Sequence, residues 1–275
     1  MRFHTKDCTA IITGASSGLG VEFARQLAPE ARALILVARR LEALEAVKTD
    51  LISAHPNLRV EVVAADLATD AGRADLLAWV AGSPLGKDLN LLINNAGLGD
   101  YGTVASATAE RLRAQIEVNI TAVVLLSHAL LPHLRRDPEA PAGILNVSSL
   151  ASMAPMPDLA VYAASKAFVT SFSEALNIEL AAEHIVVSYV CPGPTPTNFS
   201  QTAKRPDGSD TDREGQGLLR VPVAQVVGSA LDGLRAGSSC VFPGAGVSVA
   251  GPLFRIMPRF LMRLILRRRF ERRTL

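Results

Sequence analysis

The chain has 275 residues, 49% of them hydrophobic, and a formal net charge of +2. This supports a sizeable buried core and is too little charge for a nucleic-acid footprint. Cys8, Cys191 and Cys240 are unclustered and the five histidines are scattered, so neither a disulfide framework nor a metal site is expected, and the usage fits a reduced, cytoplasmic protein.

Met1 to Asp7 has no apolar run after its charges and does not read as a secretory signal. No uninterrupted apolar stretch reaches the roughly 18 residues of a spanning helix. No linker or internal repeat divides the chain. It reads as one domain over residues 1–250 followed by a basic extension over residues 251–275.

Thr9 to Thr13 is a short apolar run that fits a buried strand. Gly14-Ala15-Ser16-Ser17-Gly18-Leu19-Gly20 follows, then a helical pattern through Leu27. Glycines let a backbone turn tightly and approach a phosphate, and a helix N-terminus favours the negative charge. The spacing Gly-x-x-x-Gly-x-Gly differs from the commoner dinucleotide fingerprint. A tight strand-to-helix turn gives the same signal, but its place after the first strand points to a dinucleotide.

Ala33 to Ala38 is a second buried strand, ending in Arg39-Arg40. An acid at that end would bind a free ribose 2′-hydroxyl, whereas an Arg accommodates a 2′-phosphate. The two arginines favour NADP over NAD; they also suit the basic start of the next helix, Leu41 to about Ser53. Leu58 to Ala64 reads as a third strand, ending at Asp66-Leu67. Asp66 fits either an adenine contact or the cap of a helix starting near Thr69-Asp70. Leu89 to Ile93 is a fourth strand, followed by Asn94-Asn95-Ala96-Gly97, which suits a plain turn or a cofactor crevice.

Ala105 to about Arg136 is helical in pattern, with a kink or break expected at Pro132. Asn119 lies within its apolar part. It reads as a satisfied core amide, or as the mark of a helix distorted to present a carbonyl or amide to a water. Gly143 to Val147 is a fifth strand ending in Ser148-Ser149. The helix after it carries Tyr162 and Lys166, four apart and so on one face. A cation held near the phenol would lower its pKa and make it an acid–base group, although this spacing also arises often by chance.

Ile185 to Cys191 is a sixth strand, followed by Pro192-Gly193-Pro194-Thr195-Pro196-Thr197, a rigid extended turn. Residues 198–220 are polar and without periodicity, as in a lid or mobile loop. Pro222 to Leu234 reads as a helix and Ser239 to Phe242 as a last strand. Strands alternating with helices predict an α/β, Rossmann-type doubly wound parallel sheet of about seven strands with helices on both faces. The glycine loop, Arg39, Asp66, Asn94–Gly97, Ser149 and Pro192–Thr197 all fall at carboxyl ends of strands, where such sheets bind ligands.

Together these motifs resemble the short-chain dehydrogenase/reductase family over roughly residues 8 to 245. They are Thr13-Gly14-Ala15-Ser16-Ser17-Gly18-Leu19-Gly20, Asp66, Asn94-Asn95-Ala96-Gly97, Asn119, Ser149, Tyr162-x-x-x-Lys166 and Pro192-Gly193. The resemblance implies an oxidoreductase interconverting a carbonyl and an alcohol, with NADP(H) favoured over NAD(H) through Arg39 and, less directly, Arg40. Tyr162 would be the acid–base. Lys166 would lower its pKa and bind the nicotinamide ribose, Ser149 would polarise the substrate oxygen, and Asn119 would hold a relay water. Thr13, the glycines, Ser16, Ser17 and Leu19 would form the pyrophosphate cradle. Asp66 and Asn94 would lie on the adenosine side, Pro192, Thr195 and Thr197 would face the nicotinamide, and Leu67, Ala96, Gly97 and Gly193 would also contact the cofactor. The family also implies a homodimer or homotetramer packed through the helices at 105–136 and 158–182. A protein that binds NADP without turnover, as a sensor or scaffold, is the alternative; an epimerase or dehydratase on the same fold is a third.

Residues 251–270 interleave Leu253, Phe254, Ile256, Met257, Phe260, Leu261, Leu264 and Ile265 with Arg255, Arg259, Arg263 and Arg267. Such a helix suits peripheral contact with an anionic membrane. Packing over the cleft or against a partner subunit, with the Arg stems covering apolar surface, is the reading the pattern favours of the two.

Overall fold

Short apolar runs, bounded by turn residues and separated by helical patterns, build strands buried on both faces. The computed structural model describes residues 2–134, 139–197, 199, 203 and 217–274. Its strands are β1 (Thr9–Thr13), β2 (Ala33–Ala38), β3 (Arg59–Ala64), β4 (Leu91–Asn94), β5 (Ala142–Val147), β6 (Ile185–Val190) and β7 (Cys240–Val241). They form one seven-stranded sheet in the order β3-β2-β1-β4-β5-β6-β7, and every pairing is parallel. The order reverses between β1 and β4, which opens a crevice at their carboxyl ends.

Side chains alternate along each strand, so each strand feeds two cores. Ile12, Leu34, Leu36 and Leu145 pack on one face with α1 (Gly18–Leu27), α2 (Leu41–Ala54) and α7 (Val223–Ala236), through Phe23, Leu44 and Val227. Ile11, Ile35, Ile144 and Val187 pack on the other face with α3 (Asp70–Gly82), α5 (Ala122–Leu130) and α6 (Ala160–Glu179), through Leu76, Leu126 and Leu176.

The helical run expected from 105 to about 136 is divided. It consists of α4 (Ala109–Ile116), a π-helical turn at Glu117–Thr121 around Asn119, and α5. The helix then tightens into a 3₁₀ turn, Leu131–His133, at Pro132, which cannot donate the next helical hydrogen bond. By length and composition the stretch Ala109–His133 is apolar enough to cross a membrane, beyond what the sequence reading anticipated. It covers one face of the sheet here, with Leu126 and Leu130 buried in the core.

The boundary drawn at residue 250 falls inside α8 (Ala245–Ile256), whose Val247 and Gly251 are buried. Pro258 follows, and then α9 (Arg259–Thr274). The polar loop expected at 198–220 lies outside the described residues, apart from Phe199, Ala203 and 217–220. Cys8, Cys191 and Cys240 are free thiols, and no metal-binding cluster occurs among the described residues.

Candidate active site

The glycine loop is held from below by the end of β4. Thr13 Oγ1 accepts from the backbone N–H of Asn95 and of Ala96, each at 3.0 Å. Asn95 Nδ2 donates to Thr13 O at 2.7 Å. Thr13 is 1% exposed, so its side chain shapes the cradle from beneath, and the expected cofactor contact falls to its backbone. Asn94 likewise turns its side chain away from the cleft. Its amide turns into the core, donating to Ser127 Oγ at 3.1 Å and Asn146 Oδ1 at 2.9 Å. The amide that reaches the loop is Asn95. Strand alternation could have signalled this, because neighbours along a strand face opposite ways.

Gly14 has φ +66° and Gly18 has φ +56°, the left-handed region that favours glycine. At Gly20 the constraint is space: a Cβ would lie 2.3 Å from Gly14 O and 2.7 Å from Asn95 Nδ2. Ser17 is the N-cap residue of α1 yet makes no side-chain cap bond. Its hydroxyl and the first N–H groups of α1 are therefore available to an anion. This loop fits a dinucleotide pyrophosphate. Gly20→Ala should lower stability by about 1–3 kcal/mol and weaken NADPH binding, read by thermal unfolding and fluorescence titration. Wild-type values in both would refute the cradle.

Arg39 and Arg40 are exposed at the end of β2, and the salt bridges among the described residues involve neither. Asp66 Oδ1 accepts from Ala68 N at 3.1 Å, while Thr69 caps α3 by accepting from Gly72 N. The capping role considered for Asp66 thus belongs to Thr69. Leu67 is buried in the core and its carbonyl accepts from Arg73 at 2.7 Å, so only its backbone faces an adenine site.

Asn119 is fully buried. Its Oδ1 accepts from Leu98 N at 2.8 Å, and its Nδ2 donates to Leu98 O at 2.8 Å and Ser165 Oγ at 2.9 Å. Both amide N–H groups are spent. The π-helical turn disrupts the normal carbonyl ladder here, and such turns often mark functional positions. Of the two groups weighed for holding a water, the backbone carbonyl is therefore the better candidate.

Ser148 and Ser149 part ways at the end of β5. Ser148 is buried, donates to Lys166 O at 2.9 Å and meets Thr170 Oγ1 at 2.8 Å. Ser149 opens the turn Leu150–Met153, accepts from Ala151 N at 3.1 Å and hydrogen-bonds to Tyr162. Lys166 Nζ donates to Val147 O at 2.8 Å and lies 5.9 Å from the Tyr162 ring centroid. A Cβ on Gly97 would meet that ammonium at 3.2 Å, so Gly97 is where the chain yields room to it.

Burial pushes the Tyr162 phenol up to about 12, against a downward pull from the Ser149 hydrogen bond. Burial likewise lowers Lys166 to about 8. The phenol is thus raised by burial, not depressed by Lys166 as expected. Desolvation, the largest influence on each group, disfavours its charged form. The resting pair is a neutral phenol, a proton donor, beside a readily titrated amine.

The turn after β6 closes the other side. Thr195 Oγ1 donates to Gly193 O at 3.0 Å, and Leu150 N donates to Pro192 O at 2.8 Å, joining this turn to the one that begins at Ser149. Thr197 stands beside Gly18. Phe199 packs on Tyr162, with ring centroids 5.4 Å apart, and fills the space over Gly99.

The profile described as short chain dehydrogenase matches residues 8–208. The chain is 38% identical over 208 residues to the sulfoacetaldehyde reductase of Chromohalobacter salexigens, covering 75% of this chain and 79% of that one. Its fold is similar to that of a short-chain dehydrogenase from Sphingobium yanoikuyae in complex with NADPH, with a TM-score of 0.74, 31% identity and coverage of 85% and 87%. It is also similar to a 3-ketoacyl-(acyl-carrier-protein) reductase from Brucella melitensis complexed with NADH, with a TM-score of 0.72, 28% identity and coverage of 86% and 96%. With the sheet, the glycine cradle and the Ser–Tyr–Lys group already in place, these likenesses show that the chain belongs to the short-chain dehydrogenase family, nicotinamide-dependent oxidoreductases acting on alcohol and carbonyl groups.

Proposed function

We propose that the protein is an NADP(H)-dependent oxidoreductase that interconverts a carbonyl and an alcohol with Tyr162 as its acid–base. The observation that carries this reading is the convergence of Ser149, Tyr162 and Lys166 beside the glycine cradle at the carboxyl edge of the sheet. The nicotinamide supplies the hydride; the chain's task is to hold the substrate carbonyl in line with it. Ser149 and Tyr162 hydrogen-bond the substrate oxygen and stabilise its developing charge. The neutral phenol then gives that oxygen its proton, and Lys166 holds the ribose and favours the phenolate left behind. Asn119 presents its carbonyl to a water that returns a proton along the Lys166 side. A screen of NADPH consumption across ketosteroids, acyl ketones, quinones and small aldehydes tests this. NADPH binding with no turnover on any of them would leave a nucleotide-binding protein instead.

Arg39 carries the cofactor preference, with Arg40 beside it. Both end β2 exposed and without an acid in place to bind a 2′-hydroxyl. Charge-assisted bonds to a 2′-phosphate contribute about 1.5–3 kcal/mol. Arg39→Asp should therefore raise the KM for NADPH by roughly 10- to 100-fold and improve use of NADH. Better wild-type activity with NADH would overturn the assignment.

We further propose a cytoplasmic homodimer or homotetramer. Ile116 and Leu125 on the α4–α5 run, and Phe168 and Ile178 on α6, are exposed at 44%, 41%, 40% and 79%. A second copy packed on these helices would cover them.

A further inference from the structure

We propose that α8 and α9 form a docking surface for an anionic lipid bilayer. Val249, Leu253 and Ile256 on α8 are 70%, 50% and 77% exposed, and Phe260, Leu264 and Ile265 on α9 are 75%, 46% and 48% exposed. The inner side of α8 explains why these residues stay outside. Val247 belongs to the main core and Gly251 fits against the Phe242 ring, so helical spacing turns 249, 253 and 256 away from it. On α9 the same spacing sets Met262, only 6% exposed, and the partly buried Leu266 on one side. Phe260 and Leu264 fall on the opposite side, and Ile265 lies on the flank between. No other element packs broadly on α9 among the described residues.

The charge around this face selects its occupant. Arg259, Arg263, Arg267 and Arg268 surround the apolar residues of α9 and are exposed. The one acid on the two helices, Glu271, is bound to Arg267 at 2.7 Å. Arg255 on α8 is held by Glu174 of α6 at 2.6 Å, which ties the surface to the body of the enzyme. A second copy docked here across a two-fold axis would set arginines against arginines. Phosphate headgroups would instead neutralise them while acyl chains take up the apolar side chains. Arg268, within the exposed arc, reaches the headgroups by extending its long stem. Neither helix can span a bilayer; both lie in its surface.

The full chain is sedimented with vesicles of phosphatidylcholine alone and of phosphatidylcholine with phosphatidylglycerol. Pelleting is expected with the second only, weakened by salt. Phe260→Glu/Leu264→Glu should weaken it at least about ten-fold, with NADPH binding unchanged as the measure of folding. Ile256→Glu on the other helix is the second variant, with the same expectation. Absence of wild-type pelleting on anionic vesicles, equal pelleting on both compositions, or equal pelleting of wild type and both variants would each overturn the proposal. So would dissociation of an oligomer by either variant in sedimentation velocity with lipid binding unaltered, which would assign the face to a second copy. The lipid readout does not depend on turnover, so it stands apart from the fate of the proposed reaction.

Discussion

Tyr162→Phe should reduce kcat by roughly 10²- to 10⁴-fold while leaving NADPH binding nearly unchanged. The substitution removes one oxygen. The ring keeps its packing against Phe199, 5.4 Å away, and the fold loses only the hydrogen bond to Ser149, a contribution of about 0.5–1.5 kcal/mol. A large kinetic loss with a small stability loss is the signature of a proton donor. A structural tyrosine would show the reverse. Near-full turnover by the purified variant would end the mechanism proposed for this site.

A second large effect is expected at Lys166. Lys166→Arg keeps a cation but not the geometry, because Nζ sits in a slot only 4% exposed and donates to Val147 O at 2.8 Å. The planar, wider guanidinium cannot take that place. The rate should fall by roughly 10²-fold or more, whereas NADPH affinity should change by less than about ten-fold. Loss of binding with an intact rate would reverse the role given to this residue. The wild-type amine adds a pH dependence. Its pKa is depressed to about 8 by burial, so its charge is present below that pH and lost as pH rises through it. Reduction needs the cation to favour the phenolate that proton donation leaves. Its kcat/KM should therefore decline above about pH 8, and the residual activity of Lys166→Arg, whose cation does not titrate there, should not.

The order of elements was legible because apolar runs, glycine turns and helical periods alternate along the chain, and parallel connectivity gathers the strand ends at one edge. That logic located the glycine loop, Ser149 and the Tyr162 helix. It could not say which of two adjacent polar residues faces the cleft. Asn94 and Asn95, like Ser148 and Ser149, are separated by a single strand step, and strand register decides which one points outward. The spacing before Tyr162 selected Ser149; nothing comparable separated the two asparagines. The electrostatics of the pair were also out of reach, since desolvation depends on what other segments bury. The C-terminal stretch, read as one amphipathic helix, is two helices because Pro258 interrupts it.

The inward turn of Asn94 has a consequence for how the protein finds its fold. Asn94 donates to Ser127 and Asn146, Asn146 donates to Ser173 at 2.8 Å, and Ser173 donates to Val169 O at 2.7 Å. This chain of donors runs from β4 and α5 through β5 into α6. Apolar contacts tolerate neighbouring settings of a helix, because one greasy side chain can replace another of similar volume. Hydrogen bonds do not. Sliding α6 by one residue would rotate its side chains by about 100°, carry Ser173 away and strand a buried amide, at a cost of about 1–3 kcal/mol. The asparagine–serine chain thus indexes the helix during assembly, leaving a single angular setting, the one that delivers Tyr162 and Lys166 to Ser149.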